Sequence, residues 1–151
     1  MTTEDLIQLP GMDRIRALMA AEPGAAGLTG LLGMRISAVH DGRVTFAATP
    51  DAAFVNLVGI VHGGWAATLL DSAMGCAGHT LLAAGQALVT MEIKVAYHRP
   101  VATDMGTVEA TGVVISHGRR TVFAEAKLLD AHHRLLASGS STLMVVEPRQ
   151  R

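Results

Sequence analysis

The chain has 151 residues, a formal net charge of −1, one cysteine and 50% apolar residues. This length holds one domain with a real hydrophobic core and little more, and the near-neutral charge argues against wholesale nucleic-acid binding. The single cysteine, Cys76, excludes an intrachain disulfide framework and suits a reducing cytoplasm.

The most apolar region, residues 57–91, is long enough to be mistaken for a membrane span. A span needs about 20 consecutive apolar residues, whereas His62, Asp71, His79 and several glycines interrupt this region. The acidic N-terminus also lacks the apolar run of a secretory signal. We therefore expect a cytoplasmic protein that does not enter a membrane, and we attribute its excess of apolar residues to oligomerisation.

The first predicted element is a helical or irregular lead-in over residues 1–30. Within it, the residues Asp13 to Ala21 have a helical pattern, with Ile15, Leu18 and Met19 on one side. The sequence Glu22-Pro23-Gly24 is expected to stop this helix.

A β-hairpin is predicted next. Its strands are the β-rich runs Met34–Val39 and Arg43–Thr49, and the Asp41-Gly42 between them is a strong hairpin signal. Asp51–Asn56 is then predicted to form a short turn of helix.

A long helix is predicted from Gly63 to about Ala84. It is rich in Ala, Leu and Met and apolar on nearly all faces, so we expect it to be buried rather than laid on a surface. Gly85 supplies a terminator.

The remainder of the chain is predicted as four strands, over Val89–Arg99, Gly106–Ser116, Thr121–Asp130 and Leu135–Val146. Turns at His117-Gly118 and Ala131–Arg134 join the last three strands, which suggests antiparallel neighbours. In the first strand, apolar and polar residues alternate. The apolar face carries Met91, Ile93, Val95 and Tyr97, and the polar face carries Glu92, Lys94 and His98.

The element order β-β-α-β-β-β-β predicts an α+β fold in which an antiparallel sheet curls around a central helix. We expect residues 31–148 to form this single domain after the lead-in. One face and one edge of such a sheet stay uncovered, and dimerisation would cover them.

Two features of the long helix suggest acyl-transfer chemistry. Gly63-Gly64 lets the backbone approach a ligand where the first N–H groups of the helix have no internal acceptor. Asp71 places a carboxylate about two turns further along. Together they offer an oxyanion site and a base or nucleophile. The alternatives are close helix–sheet packing at the glycines and a structural hydrogen bond at Asp71.

Asn56, then His62-Gly63-Gly64, then Asp71 nine positions after the histidine resembles the PaaI-like, phenylacetic acid degradation type of acyl-CoA thioesterases. This family is similar to the Arthrobacter-type 4-hydroxybenzoyl-CoA thioesterases. The resemblance covers roughly residues 28–146 and includes Tyr97-His98-Arg99-Pro100-Val101 and the stretch Gly139 to Thr142. It implies the hot-dog fold and the hydrolysis of aryl- or medium-chain acyl-CoA.

The resemblance also implies roles for individual residues. The Gly63 N–H would polarise the thioester carbonyl, and Asp71 would attack it or activate water. His62 would shape the turn, Asn56 would hold the thioester or the water, and Thr90 would lie near the attacking water. The Arthrobacter-type enzymes carry Glu at the position of Asp71, so the shorter carboxylate leaves room for a bridging water and favours a general base.

Family members build each active site across a homodimer, with Asn56 and Asp71 supplied by different subunits. The resemblance therefore implies shared sites and a dimer of dimers, that is, a homotetramer. CoA enters only as part of the substrate, and no separate cofactor is expected.

Substrate-binding candidates cluster in the turn after the strand Gly106–Ser116. Arginine recognises phosphate through paired N–H donors, and CoA carries phosphates. The usual interpretation of such charge is a solvated hairpin tip, but in the family this turn lies where the CoA nucleotide binds. The candidates are Ser116, Gly118, Arg119 and Arg120, together with Gly64 at the helix start and, less directly, Arg99.

No metal site is expected. His62, Asp71 and His79 are nine and eight positions apart, not at the i, i+4 spacing of helical zinc ligands. Cys76 is predicted to fill the core, because an apolar helix face supplies no cation to activate a thiol.

Two other functions fit the same pattern. A hot-dog enoyl-CoA hydratase or dehydratase would pair a helix carboxylate with a histidine, although His-Gly-Gly suits thioesterases better. A non-catalytic acyl-CoA-binding domain would bind the same ligands without turnover.

Overall fold

The computed structural model describes residues 2–21 and 27–147. Its helices are α1 (Thr3–Ile7), α2 (Gly11–Ala20), α3 (Leu28–Leu31) and α4 (Gly63–His79), with a 3-10 turn at Ala52–Phe54. Its strands are β1 (Arg35–His40), β2 (Arg43–Ala48), β3 (Ala87–Tyr97), β4 (Val108–His117), β5 (Thr121–Leu129) and β6 (Leu135–Val146).

The strands form one antiparallel six-stranded sheet in the order β1-β2-β4-β5-β6-β3. The predicted hairpins β1–β2, β4–β5 and β5–β6 are confirmed, and Gly42 has the positive φ of +64° that the first turn requires. Strand β3 does not pair with β2 or β4, its neighbours along the chain. It pairs only with β6 and therefore forms an edge of the sheet. The fold is the predicted α+β hot-dog arrangement, with the sheet against the long helix α4.

Helix α4 packs directly on the sheet. Leu69, Leu70, Ala73 and Met74 are fully buried in the core that it forms with the inner sheet face. At Gly112 of β4, a Cβ would overlap the Ala73 carbonyl, so only glycine permits this approach. The close packing fixes where the two ends of α4 lie.

Helix α4 is shorter than predicted, since it ends at His79 and not near Ala84. The Thr80 hydroxyl donates to the Ala77 carbonyl and accepts from the Gly42 N–H, which holds the chain end against the β1–β2 turn. The His79 ring binds the Leu88 N–H at 3.2 Å, so strand β3 begins close to the helix end. These tertiary contacts override the helical pattern.

The lead-in is folded onto the core. Helix α2 begins at Gly11, two residues before the predicted start, and buries Ile15, while Leu18 and Met19 stay more than 40% exposed. It ends at Ala20, and the predicted stop at residues 22–24 lies outside the described residues. The division into residues 1–30 and 31–148 stays a prediction.

Arg14 ties the lead-in to the loop after α4. Its buried guanidinium donates to the carbonyls of Leu6, Ile7 and Leu9 and, at 2.9 Å, to that of Gln86. Hydrogen bonds from charged donors contribute about 1.5–3 kcal/mol each. We expect Arg14→Met to lower the free energy of unfolding by about 3 kcal/mol or more, measured by urea denaturation.

The exposed Arg16 on the same helix is the matched control. We expect Arg16→Met to change stability by less than about 0.5 kcal/mol. Equal stability of the two variants would show that the four carbonyl contacts of Arg14 contribute nothing.

Among the helices in residues 2–21 and 27–147, none combines the length and apolar character needed to span a membrane.

Candidate active site

The start of α4 presents one backbone donor without a partner. His62 is the N-cap residue, and its Nδ1 accepts the Gly64 N–H at 2.9 Å, while its carbonyl accepts the Trp65 N–H at 2.9 Å. Within residues 2–21 and 27–147, no group accepts a hydrogen bond from the Gly63 N–H. The Gly63 amide is therefore available to a ligand at the electropositive end of the helix.

Tyr97, at the end of β3, holds this helix start in place. Its hydroxyl donates to the Gly63 carbonyl at 2.8 Å. A Cβ on Gly63 would lie 3.0 Å from the Tyr97 ring, so the glycine makes room for the aromatic side chain. The sequence predicts Tyr97 as part of the strand-end motif but not as a residue of the candidate site. Its aromatic position just before Arg99-Pro100 was the available signal.

A cleft of about 400 Å³ opens beside Gly63. Asn56 lines it, and the Asn56 Oδ1 accepts the Val58 and Ile60 N–H groups at 3.0 and 3.3 Å, which fixes the preceding loop. Arg99 also lines the cleft, although its Nη1 is held by the Leu135 carbonyl at 2.8 Å. The structure thus brings Asn56, Gly63 and Arg99 together.

Asp71 lies in a second cleft, of about 220 Å³, between α4 and β3. The Thr90 hydroxyl donates to Asp71 Oδ1 at 3.0 Å. In the described part of the chain, Thr90 alone hydrogen-bonds this half-buried carboxylate, and no cation pairs with it. Asp71 and Thr90 are therefore adjacent, as a carboxylate and the hydroxyl that orients it.

Two other titratable side chains in this cleft, Cys76 and His79, are unreactive. Burial, with a smaller contribution from the charge of Asp71, raises the pKa of the Cys76 thiol to about 12. A neutral thiol is not a nucleophile, which agrees with the predicted filling role. Burial also lowers the pKa of His79, whose two ring nitrogens bind the Gly75 carbonyl and the Leu88 N–H.

No group of three metal-ligating side chains occurs within the ranges 2–21 and 27–147. His79 has no ring nitrogen to spare, and His62 uses its Nδ1 as a helix cap at the far end of α4.

The two clefts are separate within one chain. Gly63 and Asp71 are eight positions apart on α4, and a rise of 1.5 Å per residue puts them about 12 Å apart along the axis. One thioester carbon cannot contact both groups at that distance. A single chain therefore holds two separate groups of candidate residues, one with Asn56 and Gly63 and one with Asp71 and Thr90.

The turn Ser116–Arg120 is exposed and lies at the same end of the sheet as Asp71. His117 pairs with Val122, Val122 with Leu143 and Leu143 with Thr90, so the four residues form one row across the sheet. The Val145 N–H also binds the Arg120 carbonyl at 2.9 Å. Adjacent strands are about 4.8 Å apart, so about 10 Å separates β5 from β3 along this row.

Comparison with solved structures finds the same fold in several proteins. A thioesterase family protein from Silicibacter pomeroyi is 28% identical, with 89% of this chain and 96% of that one covered at a TM-score of 0.77. A conserved protein from Pseudomonas aeruginosa is 29% identical, with coverage of 84% and 99% and a TM-score of 0.76. The E. coli PaaI protein of the phenylacetic acid degradation operon is 20% identical, with coverage of 89% and 95% and a TM-score of 0.77.

A search of curated proteins gave no match. The family model described as the thioesterase superfamily matches residues 58–137, which is more than half of the chain and includes the start of α4, Asp71 and Thr90. The chain therefore belongs to the thioesterase superfamily.

Proposed function

We propose that the protein is an acyl-CoA thioesterase that hydrolyses aryl- or medium-chain acyl-CoA to the free acid and CoA. The unpartnered Gly63 N–H at the start of α4 is the observation that carries the proposal. Its amide would stabilise the oxyanion that forms when the thioester carbonyl is attacked. Asp71 supplies the second requirement, a carboxylate held by Thr90.

As a general base, Asp71 would take a proton from water while the water oxygen bonds to the thioester carbon. The tetrahedral intermediate would then collapse, the carbon–sulfur bond would break, and the departing CoA sulfur would receive the proton. We favour this route over direct attack because an aspartate is one methylene shorter than the glutamate of the Arthrobacter-type enzymes. The reaction needs no cofactor beyond the CoA of the substrate.

Asn56 and His62 complete the proposed catalytic group. Asn56 lines the cleft beside Gly63 and would hold the thioester or the water. His62 caps the helix through the Gly64 N–H and so leaves the Gly63 N–H as the free donor. Gly64 contributes by its missing side chain, because a Cβ would lie 3.0 Å from the His62 ring.

For the CoA nucleotide we propose the exposed turn with Arg119 and Arg120, flanked by Ser116 and Gly118. Its position at the Asp71 end of the sheet supports this. Arg99, already bonded to the Leu135 carbonyl, would add charge on the other cleft. We place the protein in the cytoplasm, with acyl-CoA and copies of itself as its partners.

Because one chain separates Gly63 from Asp71, we propose that each complete site is shared by two subunits. The subunits would form a homodimer, and two dimers a tetramer. Mixing Asp71→Asn subunits with Gly63→Pro subunits should then restore activity. Each mixed dimer has one site with both native groups, so random exchange should recover about a quarter of wild-type activity.

The test refolds the two inactive variants together and measures CoA release against each variant refolded alone. If each chain carried its own complete site, the mixture would be as inactive as its parts.

The activity itself is tested with a panel of phenylacetyl-, benzoyl- and medium-chain acyl-CoAs and a thiol reagent that detects free CoA. We expect release from at least one of them. Hydration of crotonyl-CoA without thiol release would favour the hydratase. Tight acyl-CoA binding with no turnover of any substrate would favour the binding domain.

A further inference from the structure

The hydrogen bond between Thr90 and Asp71 depends on where the first residues of β3 lie. The Thr90 hydroxyl donates to Asp71 Oδ1 at 3.0 Å. Asp71 belongs to α4, which packs directly on the sheet, whereas Thr90 is the fourth residue of the edge strand β3. A shift of the start of β3 along α4 would therefore change the direction in which the hydroxyl meets the carboxylate.

The pairing of β3 with β6 is interrupted just after Thr90. Its register shifts between Thr90 and Glu92, so Met91 is an extra, bulged residue. Residues 87–90 are the short paired segment before the bulge, and in the described part of the chain no strand lies on their other side. Because a bulge disrupts the ladder locally, a further contact with α4 is needed to fix the position of Thr90.

His79, the last residue of α4, makes that contact. Its Nδ1 bonds the Gly75 carbonyl at 2.9 Å, and its Nε2 accepts the Leu88 N–H at 3.2 Å. Leu88 is two positions before Thr90, so both side chains point to the same face of the strand. The ring therefore joins the end of α4 to β3 within two residues of the hydroxyl that binds Asp71.

The His79 ring is in the protonation state that this link requires. The Gly75 carbonyl can only accept, so Nδ1 carries the proton and Nε2 keeps a free lone pair for the Leu88 N–H. Burial lowers the pKa of His79 and outweighs the opposing hydrogen bond to Gly75, and the charge of Arg14 lowers it further. The ring is therefore neutral at neutral pH, and its Nε2 can accept.

We propose that His79 is a positioning residue for the reaction: through its hydrogen bond to Leu88 it fixes Thr90, and Thr90 in turn orients the Asp71 carboxylate toward the attacking water. His79 itself neither touches the substrate nor transfers a proton. This inference rests on the proposed function, because it treats Asp71 as the general base. A displacement of about 1 Å at a catalytic group can lower the rate by about 10²-fold.

Two amide variants separate the two hydrogen bonds of the ring. The side-chain oxygen of His79→Gln reaches about as far as Nε2 and can still accept the Leu88 N–H. His79→Asn reaches only as far as Nδ1, so it can bond Gly75 but not Leu88. We expect His79→Asn to lower kcat by about 10-fold or more with KM little changed, and His79→Gln to keep most of the wild-type kcat.

Both variants keep the Thr80 hydrogen bonds that hold the end of α4, so the fold should persist, which a thermal unfolding curve checks. His132→Asn is the matched control. His132 is exposed in the turn between β5 and β6 and lines neither cleft, so this variant should have the wild-type kcat.

A double variant tests whether His79 acts through Thr90. Thr90→Val removes the hydroxyl, so adding His79→Asn to it should cause little further loss of kcat, because residues that act through one another are not additive. Equal kcat values for His79→Asn and His79→Gln, or losses that multiply in the double variant, would overturn the positioning role.

A readout without catalysis separates this inference from the proposed function. The methyl signal of Thr90 is identified in a carbon–proton NMR spectrum as the threonine signal that Thr90→Val removes. We expect it to shift in His79→Asn and to stay in place in His79→Gln. An unchanged signal in His79→Asn would overturn the positioning role. If the signal shifts as expected and the wild-type protein hydrolyses no acyl-CoA, the proposed function fails and the link from His79 to Thr90 stands.

Discussion

Replacing Asp71 with asparagine should lower kcat for acyl-CoA hydrolysis by about 10²-fold or more, with KM little changed. Asparagine has the same shape, and its Oδ1 can still accept the Thr90 hydroxyl that binds Asp71 at 3.0 Å. The fold should therefore persist, while the side chain loses the ability to take a proton from water. Steady-state kinetics with thiol detection, together with a thermal unfolding curve, measure both effects.

Asp41→Asn is the matched control. Asp41 is exposed in the β1–β2 turn and lines neither cleft, and Asn-Gly forms the same kind of turn as Asp-Gly. It should hydrolyse acyl-CoA at the wild-type rate. If Asp71→Asn were as active as Asp41→Asn, the carboxylate of Asp71 would have no part in the reaction.

Replacing Gly63 with proline should lower kcat by about 10²–10³-fold relative to Gly63→Ala, because proline alone removes the backbone N–H. Proline is well tolerated at the first position of a helix. His62, the residue before it, has φ of −61° and ψ of 136°, the extended conformation that a following proline favours.

Gly63→Ala is the control for crowding, since both variants add a Cβ about 3.0 Å from the Tyr97 ring and only alanine keeps the amide. We expect Gly63→Ala to lose some activity through displacement of Tyr97, and Gly63→Pro to lose far more. Equal kcat values for the two would mean that the oxyanion is stabilised elsewhere.

The residues of the candidate site were proposed from their types and spacings in the sequence. The two glycines before an apolar helix and a carboxylate inside it stand out because each is costly or unusual in its local setting. Tyr97 was not predicted to take part. Its hydrogen bond to Gly63 joins residues 34 positions apart, and no local pattern encodes that contact.

The same distinction applies to the fold, where local features could be predicted and long-range contacts could not. Alternating strands, the Asp41-Gly42 turn and the apolar helix are local signals, so the elements and the hairpins could be predicted from the chain. The predicted end of α4 was wrong because two residues there make contacts outside the helix. Thr80 hydrogen-bonds Gly42, which is 38 positions away, and His79 hydrogen-bonds Leu88, which is nine positions away. Leu18 and Met19 are exposed although they have helical spacing with the buried Ile15. Helical spacing alone therefore does not predict which side of a helix packs on the core.

The sequence by itself determined the elements, the strand–helix–strand order and the residue types suited to acyl transfer, since these depend on periodicity and on chemistry within a short stretch. Only the tertiary structure decided that β3 lies at the edge beside β6, that Thr90 meets Asp71 and that Tyr97 meets Gly63. It also separated the amide and the carboxylate by about 12 Å along one rigid helix. That separation follows from helix geometry, and it is why one thioester cannot contact both groups of the same chain.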